Sequence, residues 1–344
     1  MVELGPELTP FEPQKGQRLL IFSNPASKQA KTIKPAIKEF HETAESLGYK
    51  VEEHRTQKEL EYMVDALEVA EEGDLLGIVS GDGGTTHFQK AVVAREMDNA
   101  VLVIGGGDAN DQARNLHKKE NVRKPFKLLQ DPEARIGHLH PLEVTIGGWT
   151  QDKLQQDLAF GYVGIGITAL IGDQFNTQEF RKQVMSYRHA VEARRLAYIL
   201  RVGLPQIPKT PILTISEAGR DDVVAIERNI TNGPHEAKFF KFPGMASLVK
   251  DAGAFDMPVL QSVTNSRPGR TEALLSGAMK AMRGHLEHFG TGQKREFSVK
   301  SDSGQIPVQV DGEASFYNSN ANFSIGISDK SVRVVTTLSD PLAV

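Results

Sequence analysis

Apolar positions along the first third of the chain alternate between two textures. Leu19-Leu20-Ile21-Phe22 is an unbroken apolar run and predicts a buried strand. A turn at Ser23-Asn24-Pro25-Ala26-Ser27-Lys28 follows. Ile33, Ile37, Phe40, Ala44 and Leu47 then recur at steps of three and four, which predicts an amphipathic helix stopped by Gly48. Lys50 to His54 reads as a second strand, and Leu60, Met63, Leu67 and Ala70 mark a second helix. Leu75-Leu76-Gly77-Ile78-Val79 is a third strand, with a helix expected over about 85–96. Val101-Leu102-Val103-Ile104 is a fourth, followed by a short helix from Asn110 to Leu116. Such alternation argues a parallel α/β sheet. In these sheets ligands sit outside the carboxyl ends of the strands. The turns at 23–28, 80–85 and 105–111 lie at those ends and are rich in Gly, Asn, Ser or Asp.

From about residue 139 short strand-like runs dominate: 141–147, 157–163, 211–217, 222–228, 238–242, 296–300, 306–310, 321–327 and 331–336. Their spacing predicts an antiparallel sandwich, interrupted by helical segments at about 167–203 and 268–286. Lys118 to Arg135 is charged and holds Pro125 and Pro132, so the domain boundary is expected within 120–140. The expected division is a tail over 1–16, an α/β nucleotide-binding domain over 17–135 and a β-rich lipid or substrate domain over 136–338.

The length of 344 residues agrees with two domains, at roughly 150 residues each. The formal net charge of -4 provides no global basic field, so no nucleic-acid partner is expected. With no Cys, thiolate metal sites and nucleophiles are excluded, which fits a cytoplasmic setting. Met1 to Gly16 has neither a basic n-region nor an apolar h-region. The longest uncharged stretch, Leu158 to Gly172, is short of the ~20 apolar residues of a membrane helix. Membrane contact is therefore expected to be peripheral. Arg181, Lys182, Arg188, Arg194, Arg195 and Arg201 form a basic helical region, read first as a solvated face.

Four short segments carry candidate chemistry. Ser80-Gly81-Asp82-Gly83-Gly84-Thr85 follows a buried strand, and its glycines are expected to adopt positive φ and admit a phosphate. Read alone, it is equally a tight turn with Asp82 as a cap. Gly105-Gly106-Gly107-Asp108-Ala109-Asn110-Asp111 repeats the pattern on the next strand, so both turns should face one ligand. Asn24, Pro25, Ser27 and Lys28 could hold a nucleotide or form a routine turn. In Val310-Asp311-Gly312-Glu313 the two carboxylates could bind Mg2+ or act as a base, although Asp-Gly by itself favours a hairpin turn. No Gly-Lys dipeptide occurs, so there is no Walker A loop. His138 and His140 read as packing or surface histidines rather than a metal site.

In this order the segments resemble the diacylglycerol kinase catalytic-domain superfamily, which includes bacterial lipid kinases and the sphingosine and ceramide kinases. Asn24, Pro25, Ser27 and Lys28 match its first element. Ser80, Gly81, Asp82, Gly83 and Gly84 match its Gly-Gly-Asp-Gly-Thr loop, with Thr85 one position late. Gly107, Asp108, Ala109, Asn110, Asp111, Ala113 and Arg114 match Gly-Thr-Gly-Asn-Asp-x-Ala-Arg, and Asp311, Gly312 and Glu313 match the late Asp-Gly-Glu. Fainter likenesses lie at 161–169, 197–200 and 251–256. The resemblance implies an α/β nucleotide domain, a β-sandwich domain and an active-site cleft between them. It implies transfer of a phosphoryl group from ATP, with Mg2+, to a lipid hydroxyl of diacylglycerol or sphingoid type. Glu313 or Asp82 would accept the hydroxyl proton, Asp311 and Asp108 would hold the metal, and the Gly turns would cradle the phosphates. The pattern departs at Gly84, at His87 in place of an acidic residue, and at Asp108 in place of Thr. Two alternatives follow: a kinase of a soluble substrate such as NAD, or a nucleotide- or lipid-binding module without turnover. A homodimer is left open.

Overall fold

The computed structural model describes residues 8–338 apart from 24–29, 58, 107–109, 149–153, 178–202, 233–234, 237–239, 242–252, 258–268, 273–275, 277–286 and 291. In chain order the first elements are β1 (Thr9–Pro10), β2 (Arg18–Ser23), α1 (Ala30–Ser46), β3 (Lys50–Arg55), α2 (Leu60–Ala66), β4 (Leu75–Ser80), α3 (Asp82–Ala94), β5 (Val101–Gly105), α4 (Asp111–Leu116), α5 (Lys119–Arg123) and β6 (Arg135–Leu139). They are followed by β7 (Leu142–Gly148), β8 (Gln155–Ala159), β9 (Tyr162–Gly166) and α6 (Ile167–Asn176). The remaining strands are β10 (Leu213–Glu217), β11 (Val223–Ala225), β12 (Glu227–Thr231), β13 (His235–Glu236), β14 (Phe240–Lys241), β15 (Gly253–Met257), β16 (Glu287–Gly290), β17 (Lys294–Val310), β18 (Glu313–Ile327) and β19 (Val332–Thr336).

The chain divides into two compact units, each assembled from separate stretches. One holds 1–142, 232–254 and 327–344, and the other holds 143–231 and 255–326. The first unit contains a seven-stranded sheet in the order β1-β6-β19-β5-β4-β2-β3. β3, β2, β4, β5 and β19 run parallel, while β6 is antiparallel to β19. Both faces of the central strands are covered, which is why they read as continuous apolar runs. Leu19, Ile21, Leu75, Leu102 and Ile104 share a core cluster with Phe40 of α1. Phe22 points the other way, against Phe88 of α3 at 5.1 Å between ring centres.

This division differs from the expected one in two places. Lys118 to Arg135 is no linker: Leu128 and Leu129 are buried in the core cluster of the first unit. The charges that suggested a boundary pair with one another. Lys118 bridges to Asp131 at 3.3 Å and to Glu133, and Lys127 bridges to Glu120 at 2.8 Å. The C-terminal strand β19, expected in the second domain, lies between β5 and β6 of the first.

The second unit is built on an antiparallel sheet that follows β16-β15-β12-β9-β17-β18-β7-β8, with β10 and β11 joined at β17. The runs expected at 296–300 and 306–310 are one strand, β17, paired with β18 along nearly its whole length. Its register shifts between Lys300 and Gln305. Before the shift β17 pairs with β10, and beyond it with β9. A strand that changes neighbours at a bulge is how an antiparallel sheet turns a corner. The run expected at 157–163 is instead split between β8 and β9, which are joined by a turn but are not neighbours in the sheet. Of the expected helix over 167–203 the described helical part is α6, since 178–202 lie outside the described residues, as does most of the helix expected at 268–286.

Candidate functional site

β4 and β5 are neighbours in register, with Ser80 opposite Gly105. Both strands are followed by helices, so the two Gly-rich turns emerge side by side. The N–H of Gly106 donates to the carbonyl of Ser80 at 2.6 Å. A Cβ on Gly106 would lie 3.0 Å from the backbone N of Ser80, so only glycine permits this approach. Three further bonds tie the junctions together. The backbone N–H of Gln112 donates to Asp82 Oδ1 at 3.1 Å, and Gln112 Nε2 donates to Thr86 Oγ1 at 2.6 Å and to the carbonyl of Asp82 at 3.5 Å.

The conformation of the first turn differs from the expected one. α3 begins at Asp82, with Gly81 as its N-cap at φ -77° and ψ 172°. Gly83 and Gly84 therefore lie within the first helical turn, and neither has positive φ. The glycines serve close packing rather than left-handed backbone. Thr85, expected at the ligand, is buried, and its N–H donates to the carbonyl of Gly81 at 3.0 Å. A helix start leaves several N–H groups without intrahelical partners and carries the positive end of the helix dipole. Gly81 has no side chain with which to cap them. Asn110, at φ 54°, folds its side chain over the end of β5, where a Cβ on Gly105 would meet its Cγ at 2.8 Å. Of the remaining expected contacts, Asn24, Pro25, Ser27, Lys28, Gly107 and Asp108 lie outside the described residues.

In the second unit, Asp311 and Gly312 form the tight turn between β17 and β18, with φ of 49° and 86°. Positive φ at both central residues is the geometry that matches the twist of a two-residue hairpin, so the hairpin reading of Asp-Gly holds. Asp311 is buried, and its carboxylate accepts three backbone N–H bonds: Phe160 at 2.7 Å, Gly161 at 2.7 Å and Tyr162 at 2.9 Å. It closes the β8–β9 turn, a role invisible to spacing along the chain. Any cation there would share oxygens already facing N–H donors.

Glu313 opens β18 and is exposed. It lines a small hollow of about 30 Å³ with Val144, Ile146, Asp157, Val308 and Tyr317. The Tyr317 hydroxyl donates to Gln155 Oε1 at 2.7 Å, and burial together with the charge of Asp157 raises its pKa. The hollow has an apolar floor and a polar rim of two carboxylates, a phenol and an amide. Sequence reasoning named Glu313 alone, because Asp157 is on a strand distant along the chain and Tyr317, further along β18 itself, belongs to no motif.

Among the described residues no group of three or more His, Asp or Glu is placed to hold a metal by itself. Mg2+ needs less, since it keeps waters and binds one or two carboxylates together with substrate phosphates. Asp82, pinned beside the helix start, fits that description. His138 and His140 are engaged with Ser331 Oγ and the carbonyl of Ser328, as packing histidines should be.

Residues 18–139 match the family model of the diacylglycerol kinase catalytic domain. This match falls on the part of the chain whose motifs resemble that domain. A Staphylococcus haemolyticus protein described as a "putative lipid kinase" is 25% identical over 117 residues, 34% of this chain. That match spans 33% of the relative's own length. A diacylglycerol kinase structure from Bacillus anthracis aligns over 94% of this chain and 98% of its own, at 14% identity and a TM-score of 0.55. Another from that organism, described as a "putative diacylglycerol kinase", aligns over 96% of this chain and 100% of its own, at 14% identity and a TM-score of 0.59. The structural likeness is one of fold and extends to the second unit, which the family model does not reach. No helix among the described residues is long and apolar enough to cross a membrane.

Proposed function

We propose that this protein is a lipid kinase of the diacylglycerol kinase type, which transfers the terminal phosphoryl group of ATP to a lipid hydroxyl. The observation that carries the reading is the pair of strand–turn–helix junctions locked together at one sheet edge. It supplies what phosphoryl transfer asks of a protein, namely positioning and charge neutralisation. The start of α3 receives phosphate oxygens, and the close-packed Gly106 ties the two junctions together. Asp82, oriented by the N–H of Gln112, would hold Mg2+. The ion supplies neutralisation of the charge that develops on the transferred group. Glu313 accepts the proton of the acceptor hydroxyl, and the apolar floor of its hollow receives the start of the lipid chain. Asp311 keeps that hairpin in shape. The lipid is met at a membrane surface by peripheral contact.

The test incubates the protein with labelled ATP, Mg2+ and a panel of diacylglycerols and sphingoid bases, beside Glu313→Ala. The expected result is labelled lipid, with turnover lowered by about 100-fold or more in the variant while ATP affinity is kept. Bound ATP without transfer to any lipid selects the binding module, and transfer to NAD alone selects the soluble-substrate kinase.

A further inference from the structure

We propose that Gln89 and Gln112 are positioning residues for Asp82, acting through ordered water held between their amides in the interior of the first unit. The inference rests on the nucleotide reading above for its metal, and adds two side chains that lie outside the Gly-rich turns.

Thr86 and Gln89 are three positions apart on α3, so they share one face of the helix, about 4.5 Å apart along its axis. Gln89 is completely buried, and among the described residues neither its Oε1 nor its Nε2 has a hydrogen-bond partner. Gln112, the second residue of α4, is 6% exposed. Its Nε2 is used on Thr86 Oγ1, which holds the amide at this face of α3. Its Oε1, on the same carbon, is left beside Thr86 without a partner. One donor group and two acceptors are thus buried near one another, and no described protein group satisfies them.

Buried amide atoms left unpaired cost free energy, so the set calls for a partner. Neutral amides suit water rather than an ion. Water accepts from the Nε2 of Gln89 and donates to the Oε1 of either amide. The same Gln112 grips Asp82 twice: its N–H donates to Asp82 Oδ1 at 3.1 Å, and its Nε2 reaches the carbonyl of Asp82 at 3.5 Å. Water that fixes the amide of Gln112 against α3 therefore fixes the start of α4, and with it the direction of the carboxylate. A supporting bond of this kind sets metal affinity without touching the metal.

The test reads thermal melting without nucleotide, and the Mg2+ dependence of ATP binding. Gln89→Leu removes the amide and keeps its approximate size. It strands the Oε1 of Gln112 and the water, so the melting temperature should fall. The Mg2+ needed for half-maximal ATP binding should rise about tenfold. The double variant Gln89→Leu with Gln112→Leu removes every stranded amide atom. Its melting temperature should recover, while its Mg2+ requirement stays raised. Gln89→Leu melting at or above the natural temperature would show an unbridged amide and overturn the proposal. A double variant no more stable than Gln89→Leu would overturn the shared water. An unchanged Mg2+ requirement in both variants would overturn the positioning role and leave the nucleotide reading standing. A natural chain that binds no ATP overturns that reading and the positioning role together.

Discussion

His117 shows how much one side chain is decided by its surroundings. It is buried at the end of α4, with Nε2 3.0 Å from the carbonyl of Val103. Burial lowers its pKa to about 4. Its folded pKa lies below the unfolded value, so its contribution to stability is present above pH ~6.5 and is lost as pH falls toward 4. Acid melting curves should therefore show a loss of up to about 3 kcal/mol across that window, and His117→Gln should flatten it. An unchanged slope in the variant would assign the acid sensitivity elsewhere. Nothing in the sequence distinguishes His117 from His138 or His140. Its pKa is set by depth in the fold, and depth is not a local property.

The helices and strands of the first unit were legible wherever periodicity was strong. β2, α1, β3, β4 and β5 begin and end within a few residues of their expected places. The start of α3 was misplaced because glycine is a poor helix former and is ordinarily read as loop. There, packing against β4 and β5 outweighs propensity, since both Gly84 and Gly106 sit where a Cβ would collide with Ser80. Gly106→Ala should thus force the two junctions apart, lowering the melting temperature and weakening ATP binding together. The Asp311 hairpin is the second case. Its turn is written in the dipeptide, but its carboxylate serves a different turn about 150 residues earlier. Asp311→Ala should cost about 3 kcal/mol by leaving buried N–H groups unpaired, and Asp311→Asn less, because one acceptor remains. Denaturant melts of the two variants check this. Equal, near-zero losses would mean that the turn does not need the carboxylate.

At the scale of the whole molecule, the first unit is completed by the far end of the chain. Val332, Val334 and Val335 are fully buried, and their strand pairs with β5 on one side and β6 on the other. A fragment over 1–142 contains all of the family-matched residues 18–139 yet lacks this strand. It would expose two sheet edges and the apolar surface that β19 covers. Such a fragment should melt without cooperativity, while the full chain melts as a folded protein. Calorimetry of the two decides it, and a sharp transition in the fragment would show the strand to be dispensable.

The sequence by itself determined the alternation of strands and helices, the Gly-rich turns at strand ends and the antiparallel character of the second half. These follow from periodicity and composition among near neighbours in the chain. Only the tertiary structure decided that β19 is inserted between β5 and β6, that a charged stretch is core rather than linker, and that Asp311 closes the β8–β9 turn. It also decided that Ser80 and Gly84 compete for one space. Each depends on residues brought together across long sequence separation, where hydrogen-bond geometry and excluded volume act and local pattern is silent.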